Sequence, residues 1–165
     1  MMMTHEVIDN FLDESEFKPL QSLLMSKSFA WHYEKKVVAV NSSIDNHNIY
    51  MYHIMYEDLN QNSPHFNLLR PIFHKLRLKA LCRVKCNFYP GTSTQVEHGM
   101  HKDFNFPHYG ALLSINTNNG YTKLEDGTKV DSVANRMLLF DSSKPHTSAT
   151  CTDQPTRINI NINYF

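Results

Sequence analysis

Arg157-Ile158-Asn159-Ile160-Asn161-Ile162-Asn163 alternates polar and apolar residues without a break. Successive side chains of a strand point to opposite faces, so Ile158, Ile160 and Ile162 share one face while Arg157 and Asn159 share the other. An apolar row of this kind packs against helices or a sheet cover. A polar row facing inward suits a ligand pocket better than a dry sandwich interior. Leu81 to Tyr89 repeats the pattern, with Cys82, Val84, Cys86 and Phe88 on one face and Arg83, Lys85, Asn87 and Tyr89 on the other. Two strands with polar inner faces imply a cavity.

Working outward, further strands are read at Gly99 to Phe104, Tyr109 to Asn116, Gly120 to Leu124, Arg136 to Phe140 and Thr147 to Cys151. Turn formers separate them: Pro90-Gly91, Asn118-Asn119-Gly120, Glu125-Asp126-Gly127 and Asp141 to Pro145. Short strands broken in this way form a sandwich or barrel. The N-terminal half reads differently. Asp13 caps a helix with Glu16 three residues on, and Phe17, Leu20, Leu23 and Leu24 recur at helical spacing to about Lys27, against the presence of Pro19. Trp31 to Tyr33, Lys36 to Val40 and Tyr50 to Met55 are strand candidates around a polar loop, Asn41 to Asn48. Ser63-Pro64 starts a second helix that Pro71 should kink or divide. The expectation is an α+β fold, a double-stranded β-helix (jelly roll, cupin-like) with N-terminal buttressing helices. It would form a single domain over 1–165, mixed over about 1–79 and jelly roll over about 80–165.

The chain of 165 residues is long enough to bury one core without disulfides. Its 16 basic and 16 acidic residues balance, so charge gives no footprint for nucleic acid or an anionic membrane. Cys82, Cys86 and Cys151 lack metal or redox spacing and read as reduced thiols. No basic segment followed by an apolar stretch opens the sequence, and no window approaches the ~20 apolar residues of a membrane span. A cytoplasmic protein is expected, in the host cytoplasm if the chain is phage-encoded.

His101-Lys102-Asp103 carries the chemistry. In a strand, His101 and Asp103 would project side by side, and His146, behind a turn, would complete two histidines and one carboxylate. That set binds Fe(II) in non-haem oxygenases and leaves positions open for substrate and oxygen. His98 is a rival ligand that odd spacing sends to the other face.

Together these residues resemble the Fe(II)/2-oxoglutarate-dependent dioxygenases, in particular their prolyl-hydroxylase-like branch. The resemblance runs through Asn87-Phe88-Tyr89-Pro90-Gly91, His101-Lys102-Asp103, Leu113-Ser114-Ile115-Asn116, Arg136-Met137-Leu138-Leu139-Phe140, His146 and Arg157, the C-terminal half. It implies Fe(II) on His101, Asp103 and His146, with 2-oxoglutarate and O2 as cosubstrates. Arg157 would pair with the distal carboxylate of 2-oxoglutarate, and Tyr89 would hydrogen-bond the cosubstrate, with Asn87 and Asn159 facing the same space. Arg83, Lys85 and His108 are candidate substrate contacts, His108 at the surface or pocket rim. The implied reaction hydroxylates an unactivated C–H bond and releases succinate and CO2. A prolyl or other peptidyl side chain is the first substrate expected, and a free amino acid or small metabolite the next. The nucleic-acid-repair branch carries its arginine nearer the distal histidine with a second arginine following, and neither is present here. The asparagine-, lysine- and isoleucine-rich make-up looks similar to that of small stand-alone oxygenases of bacteria and marine phages. Two rivals stand beside this reading: a cupin-like metal protein without 2-oxoglutarate, which has no use for an inward Arg157, and a non-enzymatic β-sandwich module, which binds no metal.

Overall fold

A computed structural model describes residues 5–34 and 49–165. The expected strand at Lys36 to Val40 and the polar loop at Asn41 to Asn48 lie outside the described residues. The strands are β1 (His5–Ile8), β2 (His32–Glu34), β3 (Tyr50–Glu57), β4 (Asn60–Gln61), β5 (Leu81–Pro90), β6 (Tyr109–Ser114), β7 (Tyr121–Leu124), β8 (Lys129–Asp131), β9 (Met137–Asp141), β10 (His146–Ser148) and β11 (Thr156–Tyr164). The helices are α1 (Glu14–Leu24) and α2 (Arg70–Leu76), the latter entered through a 3-10 turn at Phe66–Leu69. Among the described residues no helix is long and apolar enough to cross a membrane.

β11, the most regularly alternating segment, sits inside the larger sheet, whose order is β1-β9-β6-β11-β5-β3-β2 with β4 on β3. The smaller sheet runs β10-β7-β8. The β5/β11 register sets Tyr89 opposite Arg157, Asn87 opposite Asn159, Lys85 opposite Asn161 and Arg83 opposite Asn163, so the two polar rows merge into one polar face. On the reverse face Ile158, Ile160, Ile162, Val84 and Cys86 share a buried cluster with Phe17, Leu20 and Leu24 of α1 and Ile72 of α2. The helices therefore cover the apolar side of the sheet. A second cluster, Leu112, Leu124, Val130, Leu138 and Phe140, joins the two sheets.

Several elements depart from the sequence reading for physical reasons. Asp13 and Glu16 form the expected capping box, but Pro19 sits inside α1 rather than in its first turn. Proline there costs the Ser15 carbonyl its helical donor. Ser15 and Pro19 are both exposed, so water replaces the lost bond cheaply. Pro71 divides the second helical segment as expected, falling in the first turn of α2. β8 was not expected because only Val130 of its three residues is buried, which leaves no period to read.

Gly99 to Phe104 is not a strand. Only His101 pairs, in a single bridge to His146. Two residues later the Asp103 amide bonds the Ser142 carbonyl while its carboxylate is drawn to donors on β5 and β11. That pull turns the chain away from β10 before a ladder can form.

His53, on β3, is buried, and its Nδ1 lies 2.7 Å from the Ala30 carbonyl. Burial lowers its pKa, the Ala30 contact opposes this, and His32 and His65 lower it further. The unfolded chain therefore binds the proton more readily, so this residue's contribution to stability is full above the ordinary histidine value and is lost as pH falls below about 6.5. A thermal-unfolding series from pH 8 to 5 should show that loss, and His53→Gln should flatten it. An unchanged slope in the variant would remove His53 as the cause.

Candidate active site

The structure brings His101, Asp103 and His146 together, with one ligand atom from each within 4.8 Å of the others. His101 Nε2 lies 3.9 Å from Asp103 Oδ1, and His146 Nε2 lies 3.9 Å from Asp103 Oδ2. On the far side of each ring, Nδ1 faces a backbone carbonyl: Lys144 at 3.0 Å for His146 and Gly99 at 3.4 Å for His101. A carbonyl only accepts, so each Nδ1 carries a proton, and Nε2 is the ring nitrogen turned toward the carboxylate and placed to ligate a cation.

Asp103 is held from several directions. Its Oδ2 accepts from Asn161 Nδ2 at 3.0 Å, from Asn163 Nδ2 at 2.8 Å and from the Ser142 hydroxyl, whereas Oδ1 accepts only from Arg83 Nη2 at 3.2 Å. Burial works against its ionisation, but His146, Arg83, Ser142 and Asn161 outweigh it and hold the carboxyl below the usual carboxylate range. Oδ1, with the fewer donors, is the oxygen left able to serve a cation.

The same polar face leads to Arg157, which is 1% exposed. Its Nε donates to Ser132 Oγ at 2.8 Å and its Nη2 to Thr122 Oγ1 at 3.0 Å, and the guanidinium lies 5.4 Å from the Tyr89 ring centroid. Among the described residues Nη1 is buried with no hydrogen-bond partner, and no carboxylate contributes to its charge balance. A buried guanidinium without a counter-ion is costly to fold unless a ligand supplies one. Gly120 makes room for it: a Cβ there would stand 2.6 Å from Arg157 Cδ. Tyr89 bonds Ser148, and burial raises its hydroxyl pKa against the lowering influence of Arg157, which keeps it a neutral donor.

One small cavity, open to solvent, joins these parts. Histidines 101 and 146 line it together with Arg157, Tyr89, Asn87 and Asn159, and Leu112 and Phe140 add apolar wall. Asn87 Nδ2 donates to Asn159 Oδ1 at 3.0 Å, so these two expected contacts brace one another. Arg83, Lys85 and His108, the three expected substrate contacts, do not line this cavity. Arg83 is engaged by Asp103, and Lys85 donates to the Tyr50 hydroxyl at 2.6 Å. His108 is not at a rim: it is 1% exposed, packed against Phe104 and Phe106, with Nε2 3.3 Å from Asn163 Nδ2. Phe104 and Phe106, both on the N-terminal side of Pro107, fold over it and bury it. His98 is likewise outside the metal group and stacks on Tyr89 with ring centroids 5.5 Å apart.

Sequence reasoning missed Asn161, Asn163, Ser142, Ser132 and Thr122. The first two were available, since they continue the period-two row begun by Arg157 and Asn159. The hydroxyl residues carry no local signal, because β7, β8 and the β9–β10 turn bring them in from distant sequence.

No family model and no curated protein matches the sequence. Solved structures do match the fold. The prolyl hydroxylase of Trichoplax adhaerens, solved with a hypoxia-inducible-factor peptide, superposes with a TM-score of 0.67 at 17% identity, covering 98% of this chain and 83% of that one. A viral collagen prolyl hydroxylase from Paramecium bursaria Chlorella virus-1, in complex with 2-oxoglutarate, gives 0.61 at 12% identity over 98% and 96%. The chain has the fold of the 2-oxoglutarate–iron(II) oxygenases. HygX of Streptomyces hygroscopicus, with nickel and 2-oxoglutarate bound, gives 0.63 at 12% identity over 99% and 83%. The jelly-roll expectation is thus met.

Proposed function

We propose that this protein is an Fe(II)- and 2-oxoglutarate-dependent oxygenase that hydroxylates an unactivated C–H bond. The observation that carries the reading is Arg157, a buried guanidinium without a carboxylate partner among the described residues, on the same cavity as two histidines whose Nε2 atoms converge on one carboxylate. A cupin-like metal protein explains the second feature but leaves the first as an uncompensated charge. The donor set suits the metal: two imidazoles and a carboxylate are the ligands of non-haem iron(II) oxygenases. Bound there, iron(II) would supply oxygen activation, with 2-oxoglutarate oxidised to succinate and CO2 and one oxygen atom delivered to the substrate.

The chain's own residues do the rest. Arg83, Asn161, Asn163 and Ser142 keep the Asp103 carboxylate ionised and fixed. Arg157 offers its free N–H to the distal carboxylate of the cosubstrate, and Tyr89 presents a neutral hydroxyl nearby. Leu112 and Phe140 keep part of the wall dry, which strengthens each polar contact inside. A prolyl or other peptidyl side chain remains the first substrate proposed, supported by the peptide that the similar Trichoplax enzyme holds, and a free amino acid or small metabolite the second.

The deciding experiment is thermal stabilisation of Mn(II)-loaded protein by 2-oxoglutarate, followed by succinate release from the Fe(II) form in air. Stabilisation by Mn(II) but not by 2-oxoglutarate would leave the cupin-like reading standing; no metal response would favour the β-sandwich module. Gly120→Ala provides a second check. The new methyl group must displace the Arg157 stem, so 2-oxoglutarate affinity should fall roughly tenfold to a hundredfold while Mn(II) affinity holds. Equal affinities for 2-oxoglutarate in the two proteins would show that Arg157 does not meet it.

A further inference from the structure

Lys85 stands on β5 between Arg83 and Asn87, opposite Asn161 of β11, which lines the cavity. Its ammonium lies 4.9 Å and 5.1 Å from the ring centroids of Tyr50 and Tyr52 in addition to its bond to the Tyr50 hydroxyl. Among the described residues it forms no ion pair. The neighbouring cation, Arg83, is matched by Asp103, and the acids that act on Lys85, namely Asp103, Glu57 and Glu34, do so only at a distance. Burial, reinforced by Arg83, lowers its pKa to about 8. Lys85 is thus a half-buried cation beside the metal group that neither of the functions already described employs.

A desolvated ammonium keeps its charge cheaply only if an anion or several lone pairs face it. One phenol oxygen and two ring faces supply part of that, and leave its other N–H groups open to a ligand. We propose that Lys85 is the receptor for a carboxylate on the primary substrate, held between the Tyr50 and Tyr52 rings while Arg157 holds the cosubstrate. The inference rests on the oxygenase reading and narrows its substrate class to carboxylate-bearing molecules, such as an amino acid or the acidic side chain or terminus of a peptide. A carboxylate fits better than a phosphate, because a dianion calls for a guanidinium fork or a nest of backbone N–H groups, and this place offers a single ammonium.

The test follows the Lys85 side chain by 13Cε/15Nζ NMR in lysine-labelled protein loaded with diamagnetic Zn(II), with and without 2-oxoglutarate. The resonance is assigned by its loss in Lys85→Met, or in Lys85→Arg if the first variant does not fold. Titration with acetate should shift it saturably, while acetamide leaves it in place, and acetate affinity should fall about tenfold or more in the variant, as read from the Asn161 amide. A Lys85 resonance unmoved by acetate overturns the proposal, as does a shift with inorganic phosphate alone. Calorimetry of 2-oxoglutarate on the same sample judges the oxygenase reading separately, so either can fail without the other.

Discussion

His146→Ala is expected to abolish metal binding and turnover while leaving the fold intact. The imidazole is buried, fixed by the Lys144 carbonyl and set edge-on to the Phe140 ring at 5.0 Å. Its loss leaves one histidine and one carboxylate, too few to hold a divalent ion against water. Residues that merely support a metal ligand typically change affinity 10- to 100-fold, so removal of a ligand itself should cost more than about a hundredfold. Calorimetric Mn(II) titration reads the effect without reliance on activity, and circular dichroism checks the fold. Wild-type Mn(II) affinity in the variant would place the metal elsewhere. Asp103→Asn should add a second consequence. Removing this charge leaves Arg83 facing a neutral amide, and breaking a buried pair costs about 3 kcal/mol, discounted here because Arg83 is partly exposed. The metal-free protein should therefore melt lower in Asp103→Asn than in His146→Ala.

The sequence was readable where a physical constraint is local and periodic. Ile158 to Ile162 on one face and Arg157 and Asn159 on the other need only strand geometry, and both faces stand as read. The capping box at Asp13 and the break at Pro71 are equally local. His101 and Asp103 meet for a different reason from the one the sequence suggests: side-by-side projection from a strand is absent, and a single bridge plus the pull of Arg83, Asn161 and Asn163 on the carboxylate replaces it. His108 shows the opposite failure. A polar residue beside a proline reads as exposed, yet aromatic contacts made by Phe104 and Phe106 bury it behind Asn163. Long-range packing of this kind leaves no periodic trace. The partners of Arg157 belong to the same class, since Thr122 and Ser132 lie on or beside short strands of the smaller sheet.

Arg157→Met should separate binding from stability more sharply than any other single change. In the wild-type protein burial lowers the Arg157 pKa and leaves Nη1 without a partner, so the guanidinium is a cost to the unliganded fold. Methionine keeps most of the stem and its contact with the Tyr89 ring while removing the charge. Ser132 and Thr122 lose one bond each; Thr122 lines the cavity and can turn its hydroxyl to water there, whereas the cost at buried Ser132 is offset by removal of the uncompensated charge. The melting temperature without ligand should consequently change little, within about 1 kcal/mol of stability. Binding of 2-oxoglutarate should behave oppositely. Each charge-assisted hydrogen bond to the distal carboxylate contributes about 1.5–3 kcal/mol, so affinity should drop at least about tenfold for one bond and a hundredfold or more for two. Arg157→Lys retains a charge but not the fork, and should fall between the two proteins. Thermal shift against 2-oxoglutarate concentration in Mn(II)-loaded samples measures all three. Ranking wild type, lysine and methionine in that order, at nearly constant unliganded stability, identifies Arg157 as a binding group; identical 2-oxoglutarate dependence in wild type and Arg157→Met would exclude it.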